Sequence, residues 1–339
     1  MIKAAIIGLG KMGLSHVSIV NAHPNAKVVA VCDISTLVLE AFRKFSDIKT
    51  YTDYIKLFDN ETLDCVIIAL PTRMHYQVVR LALERGIHVF CEKPFVLNED
   101  ECDELVKLAA KTSLANQVGF HNNFIGTFIQ LRKYIQGGLL GDLFRFSGTS
   151  YGPVVTNQKS NTWRSKPEEG GGCLYDYASH VINLVQTNIS KCVKVFGSLT
   201  EKYYSANVDD AVYALAELEN GIRGAIIVNW SDETYRKMST TISVQGKKGK
   251  IIADATEIKI YLTEENKKFG LPQGWTIQNI AELALPVNFY LRGEEYSAQI
   301  DYFIDCIINH KPTEINSFAQ SQSTDKVINM IIQNSKLVQ

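Results

Sequence analysis

The feature that most constrains this chain is Gly8-Leu9-Gly10-Lys11-Met12-Gly13, a Gly-x-Gly-x-x-Gly run that closes an apolar stretch from Ile2 to Gly8. Alone, the pattern is weak. Its context gives it content: Gly13 to Ala22 reads as a helix with Leu14, Val17 and Val20 on one face, and Lys27 to Asp33 as a second strand. That strand ends in an acid twenty residues beyond Gly13. Strand, glycine loop, helix, strand and terminal acid together make a dinucleotide fingerprint. Gly8 permits a tight turn, Gly10 lets backbone N–H groups approach a pyrophosphate, and Gly13 lets helix and strand pack closely. The helix N-terminus adds roughly +0.5 charge facing the phosphates. Asp33 can accept hydrogen bonds from both adenosine ribose hydroxyls and would repel a 2′-phosphate. No arginine follows it in Ile34-Ser35-Thr36, so NAD is expected in preference to NADP.

The alternation continues to about residue 120. Strand patterns at Thr50-Tyr51, Asp64–Leu70, Ile87–Cys91 and Leu114–Phe120 are separated by helical ones at Leu37–Phe45, from Asp53 to about Asn60, at His75–Arg85, and from Asn98 to about Lys111. Asn98 with Glu101 forms a capping box. The expectation is an α/β Rossmann domain over residues 1–120, with a mostly parallel, doubly wound sheet. Beyond a helix at Phe124–Gln136 the rhythm changes to longer strands, and Asn220-Gly221 between two of them signals a hairpin. Helical patterns from about Glu294 to Asn309 and from Ser317 to Leu337 close the chain. Residues 121–339 are therefore expected to form an α+β domain for substrate binding and oligomerisation, with a large, mostly antiparallel, open-faced sheet.

Two further segments carry chemistry. Cys91-Glu92-Lys93-Pro94 falls at the C-terminal end of a strand, the edge of an open α/β sheet where ligands bind. A lysine there, near a cationic nicotinamide, would have its pKa pushed down and could hydrogen-bond a substrate hydroxyl. Its plainer reading is a solvated lysine at a strand end. Leu70-Pro71-Thr72 occupies the equivalent rim after the preceding strand, and His75 starts the next helix. Gly170-Gly171-Gly172 leads into a helical pattern in which Asp176 and His180 stand i, i+4 and project to one side. A carboxylate beside an imidazole suits general base work on an alcohol, commonly worth ~10²–10⁴-fold. The alternative is a first-turn aspartate on the helix dipole with a histidine bonded to it.

Composition narrows the partners. With 35 Lys+Arg against 36 Asp+Glu, and Lys247-Lys248-Gly249-Lys250 reading as a hairpin turn, no footprint for nucleic acid or anionic lipid stands out. The longest clean apolar runs have strand length, far below the ~20 residues of a spanning helix. The N-terminus lacks a cleavage site and reads as no signal peptide. Seven scattered cysteines without a Cys-x-x-Cys pair fit reduced thiols in the cytoplasm, and no metal site is expected.

As a set, these landmarks resemble the glucose–fructose oxidoreductase/inositol dehydrogenase (Gfo/Idh/MocA) family of NAD(P)-dependent oxidoreductases. The resemblance covers most of the chain. It rests on the glycine loop with His16, Ala69-x-Pro71-x-x-x-His75, Glu92-Lys93-Pro94, Gly119-Phe120, Trp163-Arg164 and Gly170-Gly-Gly-x-Leu174-x-Asp176-x-x-x-His180. It implies Lys93, Asp176 and His180 as the catalytic trio. It implies Gly8, Gly10, Lys11, Met12, Gly13, Asp33 and Ile34 as NAD contacts, with Leu70, Pro71, His75, Glu92 and Lys93 nearby. The chain departs from the family at Asn123, where an arginine is usual, at Leu70, where threonine is common, and at Asn183, where an aspartate is usual.

The resemblance further implies hydride transfer between the nicotinamide and a secondary alcohol of a sugar, inositol or nucleotide-sugar. His180, oriented by Asp176, would take the hydroxyl proton and Lys93 would steady the alkoxide. The second domain would supply the substrate wall: Asn122, Tyr151, Asn157, Trp163, Arg164, Tyr175, Tyr290 and Arg292, beside His180. Two alternatives share the fold, an NAD-dependent glycosidase working by transient oxidation and elimination, and a non-enzymatic NAD-binding regulator. A homodimer or homotetramer through the second sheet, near Ala225-Ile226-Ile227-Val228, is the expected assembly.

Overall fold

The computed structural model describes residues 1–157, 162–291 and 293–337. Among these, the chain divides into two compact units: Met1–His121 with Pro286–Gln322, and Asn122–Leu285 with Ser323–Gln339.

The first unit is built on β1 (Ile2–Ile7), β2 (Ala26–Cys32), β3 (Lys49–Tyr51), β4 (Cys65–Ile68), β5 (His88–Cys91) and β6 (Asn116–Val118). They pair in the order β3-β2-β1-β4-β5-β6, and every pairing is parallel. This is the doubly wound order, with its switch point beside β1. The β4 residues are all buried, as a central strand covered on both faces requires. Crossovers run through α1 (Lys11–Ala22), α2 (Thr36–Phe45), α3 (Tyr54–Asn60), α4 (His75–Glu84) and α5 (Glu99–Ala110). Asn98 caps α5 as its sequence predicts, its side chain accepting from the N–H groups of Asp100 and Glu101.

The domain division differs from the contiguous one read from sequence. Residues 286–322 pack with the first unit, because the helix Glu294–Ile308 has an apolar face, Ile300, Phe303, Ile304 and Ile307, that is buried in one core with Phe90, Ile6 and Val31. Phe303 meets Phe90 edge-on at 5.9 Å between ring centroids.

The second unit holds α6 (Gly126–Gln136), α7 (Ser179–Asn188), α8 (Ile280–Leu283) and a nine-stranded sheet: β7 (Leu143–Tyr151), β8 (Cys192–Glu201), β9 (Ala211–Leu218), β10 (Arg223–Asn229), β11 (Ser239–Gly246), β12 (Gly249–Ala253), β13 (Glu257–Leu262), β14 (Gly274–Asn279) and β15 (Ser335–Leu337). The order is β14-β13-β12-β11-β7-β10-β9-β8-β15, antiparallel except at β10–β7 and β15–β8. The Asn220-Gly221 hairpin joins β9 to β10, with Gly221 at φ 77°. One face of the sheet packs on α6 and α7 through residues such as Phe146, Val244, Leu131 and Val181. On the other, Phe196, Tyr213, Leu215, Tyr261, Trp275 and Ile277 stay exposed. The last helix, α10 after α9 (Glu294–Ile308), runs Phe318–Asn334 and stops short of Leu337, because Ser335–Leu337 pairs with β8 as a strand. β14 and α8 are additions to the expected elements; β14 alternates Trp275 and Ile277 with Thr276 and Gln278.

Candidate active site

In the first unit, the loops after β1, β2, β4 and β5 leave the C-terminal edge of one parallel sheet, which gathers the cofactor candidates. The glycine loop is fixed by two close approaches. Gly8 has φ 92°, and a Cβ on Gly13 would lie 1.8 Å from the Gly8 oxygen. Gly10 is different: nothing lies within 4 Å of its Cβ position. It precedes α1, whose N-terminus has no side-chain cap and no acid in its first turn. Uncapped N–H groups over an open glycine are a cradle for an anion, so the residues present fit a dinucleotide pyrophosphate. Asp33 braces this loop as well as offering itself to a ribose. Its Oδ2 accepts the Leu9 N–H at 2.6 Å and its Oδ1 the Ser35 N–H at 2.8 Å. Ile34 is 90% exposed, and Lys11 and Pro71 are exposed, while Met12 and Leu70 are half-buried.

His75 is buried and ties two rims of that edge together. Its Nε2 lies 2.8 Å from the Leu70 oxygen, after β4, and its Nδ1 lies 3.0 Å from the oxygens of both Pro94 and Phe95, after β5. Burial pushes its pKa below the ordinary value against the pull of those carbonyls. It is a positioning group for the loops that flank Lys93. Lys93 itself is half-buried, precedes a cis peptide to Pro94, and donates its N–H to Glu92 Oε2 at 3.3 Å.

Glu92 is held from the other side by His16, whose Nε2 meets Oε1 at 2.7 Å on a fully buried ring set edge-on to Phe90. Burial pushes the Glu92 carboxyl up. The His16 hydrogen bond, with the positive charges of His16, His121 and Lys93, outweighs it and holds the group below its ordinary value. Gly119 leaves room for it, since a Cβ there would stand 2.9 Å from Glu92 Oε2.

In the second unit, the Asp176–His180 segment is wound as π-helix from Leu174 to Ala178 and continues as α7. A π turn inside an α-helix is uncommon and recurs at functional sites. It also changes the geometry that i, i+4 spacing implies in a regular α-helix. Both side chains are buried, at 6% and 2% exposure. Asp176 Oδ2 accepts Arg164 Nε at 3.0 Å, and the Arg164 guanidinium lies 4.5 Å from the Trp163 ring centroid. The carboxylate is thus tied to the Trp163–Ser165 turn. Gly172 N–H donates to the Arg164 oxygen at 3.1 Å, and a Cβ on Gly171 would fall 2.4 Å from that oxygen, so the glycine run is what lets this turn close on the helix.

The two departures at 123 and 183 prove to be one pair. Asn123 Nδ2 donates to Asn183 Oδ1 at 2.5 Å, and Arg132 donates to the Asn123 Oδ1 at 3.2 Å. Both asparagines are buried, and Asn183 follows His180 by three residues on α7. A paired amide here carries no net charge into the interior.

Residues 2–120 match the family described as "Oxidoreductase family, NAD-binding Rossmann fold", and residues 128–252 match the "GFO/IDH/MocA C-terminal domain". The chain belongs to the Gfo/Idh/MocA oxidoreductase family. It is 28% and 32% identical to two uncharacterized oxidoreductases of Schizosaccharomyces pombe over 58% and 54% of its length, and the matches span about half of each, 52% and 50%. It is 26% identical to the 2,7-anhydro-N-acetylneuraminate hydratase of Escherichia coli, over 76% of this chain and 68% of that one. It is 27% identical to the inositol 2-dehydrogenase/D-chiro-inositol 3-dehydrogenase of Lactiplantibacillus plantarum, over 65% and 63%. The fold is shared with levoglucosan dehydrogenase solved with NADH, at a TM-score of 0.87 and 20% identity, over 98% and 96% of the two chains.

The remaining wall candidates scatter. Asn122 is 5% exposed and its Nδ2 finds no acceptor among the described residues. Tyr151 stacks on Tyr235 at 5.6 Å, and Tyr175 is half-buried. Asn157 is exposed; Tyr290, 73% exposed, belongs to the first unit; Arg292 lies outside the described residues. Sequence reasoning passed over the His16–Glu92 contact and the acids Asp209 and Asp210. Glu92 lies 76 residues from His16 and Leu174 lies 35 from Asp209, while Asp210 joins Trp230, 20 residues on, to the nearby Tyr203, Tyr204 and Ser205.

Proposed function

We propose that this chain transfers a hydride between NAD and a secondary alcohol of a small sugar, inositol or nucleotide-sugar. The observation that carries the reading is the common sheet edge in the first unit: an open, uncapped glycine cradle and Lys93 leave the ends of strands in the same parallel sheet. When bound, NAD supplies the hydride acceptor. The chain's own residues do the rest. Gly8, Gly10, Gly13 and the first turn of α1 hold the pyrophosphate, with Lys11 and Met12 beside them. Asp33 accepts from the ribose and disfavours a 2′-phosphate, with Ile34 alongside, and the rim of Leu70, Pro71, His75 and Glu92 frames Lys93.

In this reading His180 takes the proton of the reacting hydroxyl, and Lys93 acts as the hydrogen-bond donor that stabilises negative charge as it develops. Asp176, shared with Arg164, steadies the helix on which His180 rides. Asn122, with a buried amide lacking an acceptor, offers a donor to a substrate hydroxyl, and Tyr151, Trp163, Arg164 and Tyr175 complete the wall. Seven free cysteines, all buried, support a reducing, cytoplasmic setting. The exposed aromatic and aliphatic residues on the open sheet face support a homodimer or homotetramer.

A panel of inositols, free sugars and UDP- or GDP-sugars with NAD, followed by absorbance of the reduced cofactor, tests this. Lys93→Met should keep NAD binding and lower turnover by at least ~10²-fold. Unchanged turnover would remove Lys93 from the mechanism.

A second reading is favoured by the similarity to the hydratase. In this second reading, transient oxidation at one substrate carbon acidifies a neighbouring C–H, elimination or hydration follows, and the hydride returns. Product would then form while the NAD concentration stays constant. Binding of NAD with no turnover of either kind would point instead to a regulator.

A further inference from the structure

Helix α7 and its π-helical first turn begin without a cap of their own. The residue in the capping position is Gly172, at φ 109°, which has no side chain to offer. The missing acceptors come from 35 residues along the chain. The peptide oxygen of Asp209 accepts the Cys173 N–H at 2.9 Å, and Asp209 Oδ2 accepts the Leu174 N–H at 2.7 Å. One residue thereby satisfies two of the four N–H groups that a helix start leaves open. The fit needs the glycine: a Cβ on Gly172 would stand 2.6 Å from Asp209 Oδ1.

Asp209 is itself immobilised by its neighbour. The buried Asp210 accepts the N–H groups of Tyr203, Tyr204 and Ser205 on Oδ2, and Ser205 Oγ and Trp230 Nε1 on Oδ1. Its peptide oxygen accepts the Trp230 N–H. Asp210 thus nails the strand start to the sheet, and Asp209 holds the helix to that strand start.

We propose that Asp209 is a positioning residue for the reaction, anchoring the turn that delivers Asp176 and His180, and that its protonation loosens this turn in mildly acidic solution. The proposal rests on the functional reading given above for Asp176 and His180. Burial and the adjacent Asp210 raise Asp209 from 3.8 to about 6, against the Leu174 N–H, its own N–H and the Lys202 ammonium, which favour the charged form. The other titratable groups around it are the Cys173 thiol and the Tyr175 phenol, both raised and both uncharged in this range, and Asp176 beyond Cys173. Losing the charge leaves Leu174 a weaker, neutral acceptor and removes a negative group at a helix N-terminus.

The experiment is amide hydrogen exchange of residues 173–180 between pH 5 and 8, expressed as protection factors, on the full chain and on Asp209→Asn, Asp209→Ala and His180→Asn. Wild type should lose about fivefold in protection as pH falls through 6, the size expected for a lost cap. Asp209→Asn keeps a neutral acceptor for Leu174 and should be flat across that range, near the level wild type reaches at pH 5. Asp209→Ala should be low throughout, and His180→Asn should retain the wild-type dependence. With substrate, Asp209→Ala should lower kcat about tenfold or more at pH 7 with NAD affinity within twofold, and Asp209→Asn, which mimics the neutral carboxyl, should fall between Asp209→Ala and wild type.

A pH dependence that persists in Asp209→Asn, or that vanishes in His180→Asn, overturns the proposal. So does an Asp209→Ala chain with wild-type protection. If Asp209→Ala does not fold, the Asn variant alone decides. The exchange measurement needs no substrate: exchange as expected with no redox turnover would sink the functional reading and leave the anchor standing.

Discussion

Two glycines three residues apart in one loop should fail in opposite ways when given a methyl group. At Gly13 the new Cβ would lie 1.8 Å from the Gly8 oxygen and 2.9 Å from its carbonyl carbon. Both atoms are backbone, so relief requires α1 to back away from the loop by more than an ångström. Overpacking of this kind costs about 1–3 kcal/mol. At roughly 2–4 °C per kcal/mol for chains or domains of about this size, Gly13→Ala should melt about 2–12 °C below wild type without ligand.

Gly10 has φ −66°, ordinary for any residue, and an empty Cβ environment. Gly10→Ala should therefore melt within about 1 °C of wild type. Its methyl group would occupy open space beside the first turn of α1, where the proposed pyrophosphate passes, so NAD affinity should fall at least tenfold, about 1.4 kcal/mol. Thermal denaturation of the ligand-free chain and calorimetric titration with NAD separate the two effects. If Gly10→Ala binds NAD as wild type does, the pyrophosphate does not pass over Gly10, and if Gly13→Ala melts normally, the close approach is not a constraint.

Glu92→Gln should be less stable than wild type near pH 7, because a carboxyl held below its ordinary value contributes stability above its unfolded pKa and loses it as pH falls through the folded one. The gap in Tm should narrow as pH is lowered below about 4.5, the ordinary value of the group, and a gap that stays constant refutes the linkage. Asn123 and Asn183 should couple. Asn183→Ala should cost about 1–3 kcal/mol in chemical denaturation by stranding a buried amide, and adding Asn123→Ala should cost less than its single-variant value, with strict additivity excluding a shared bond.

What could be read from the sequence was what is local. The glycine loop, the acid ending β2 and the Asn98 cap lie within a few residues of the structure they specify, and each stands where its pattern puts it. The parallel sheet was legible because apolar runs alternate with helical periods. The site in the second unit was legible only as residue types. Spacing of four implies one face of an α-helix, but the backbone takes a π turn through Leu174–Ala178, and no periodicity encodes that turn. Asp176 meets Arg164 through a loop whose closure depends on where glycines let oxygen atoms approach. Asn123 and Asn183 stood out as unusual singly, yet their pairing across sixty positions needed coordinates. The same holds for residues 286–322: the helical period of Glu294–Ile308 was plain, but not which sheet its apolar face would cover.

That last segment carries a consequence for biosynthesis. The nucleotide-binding unit emerges first from the ribosome, yet one wall of its interior, Ile300, Phe303, Ile304 and Ile307, is translated almost three hundred residues after Ile6. Until then Phe90 and its neighbours have no lid, and a nascent chain stalled after residue 285 would present them as a sticky surface to chaperones.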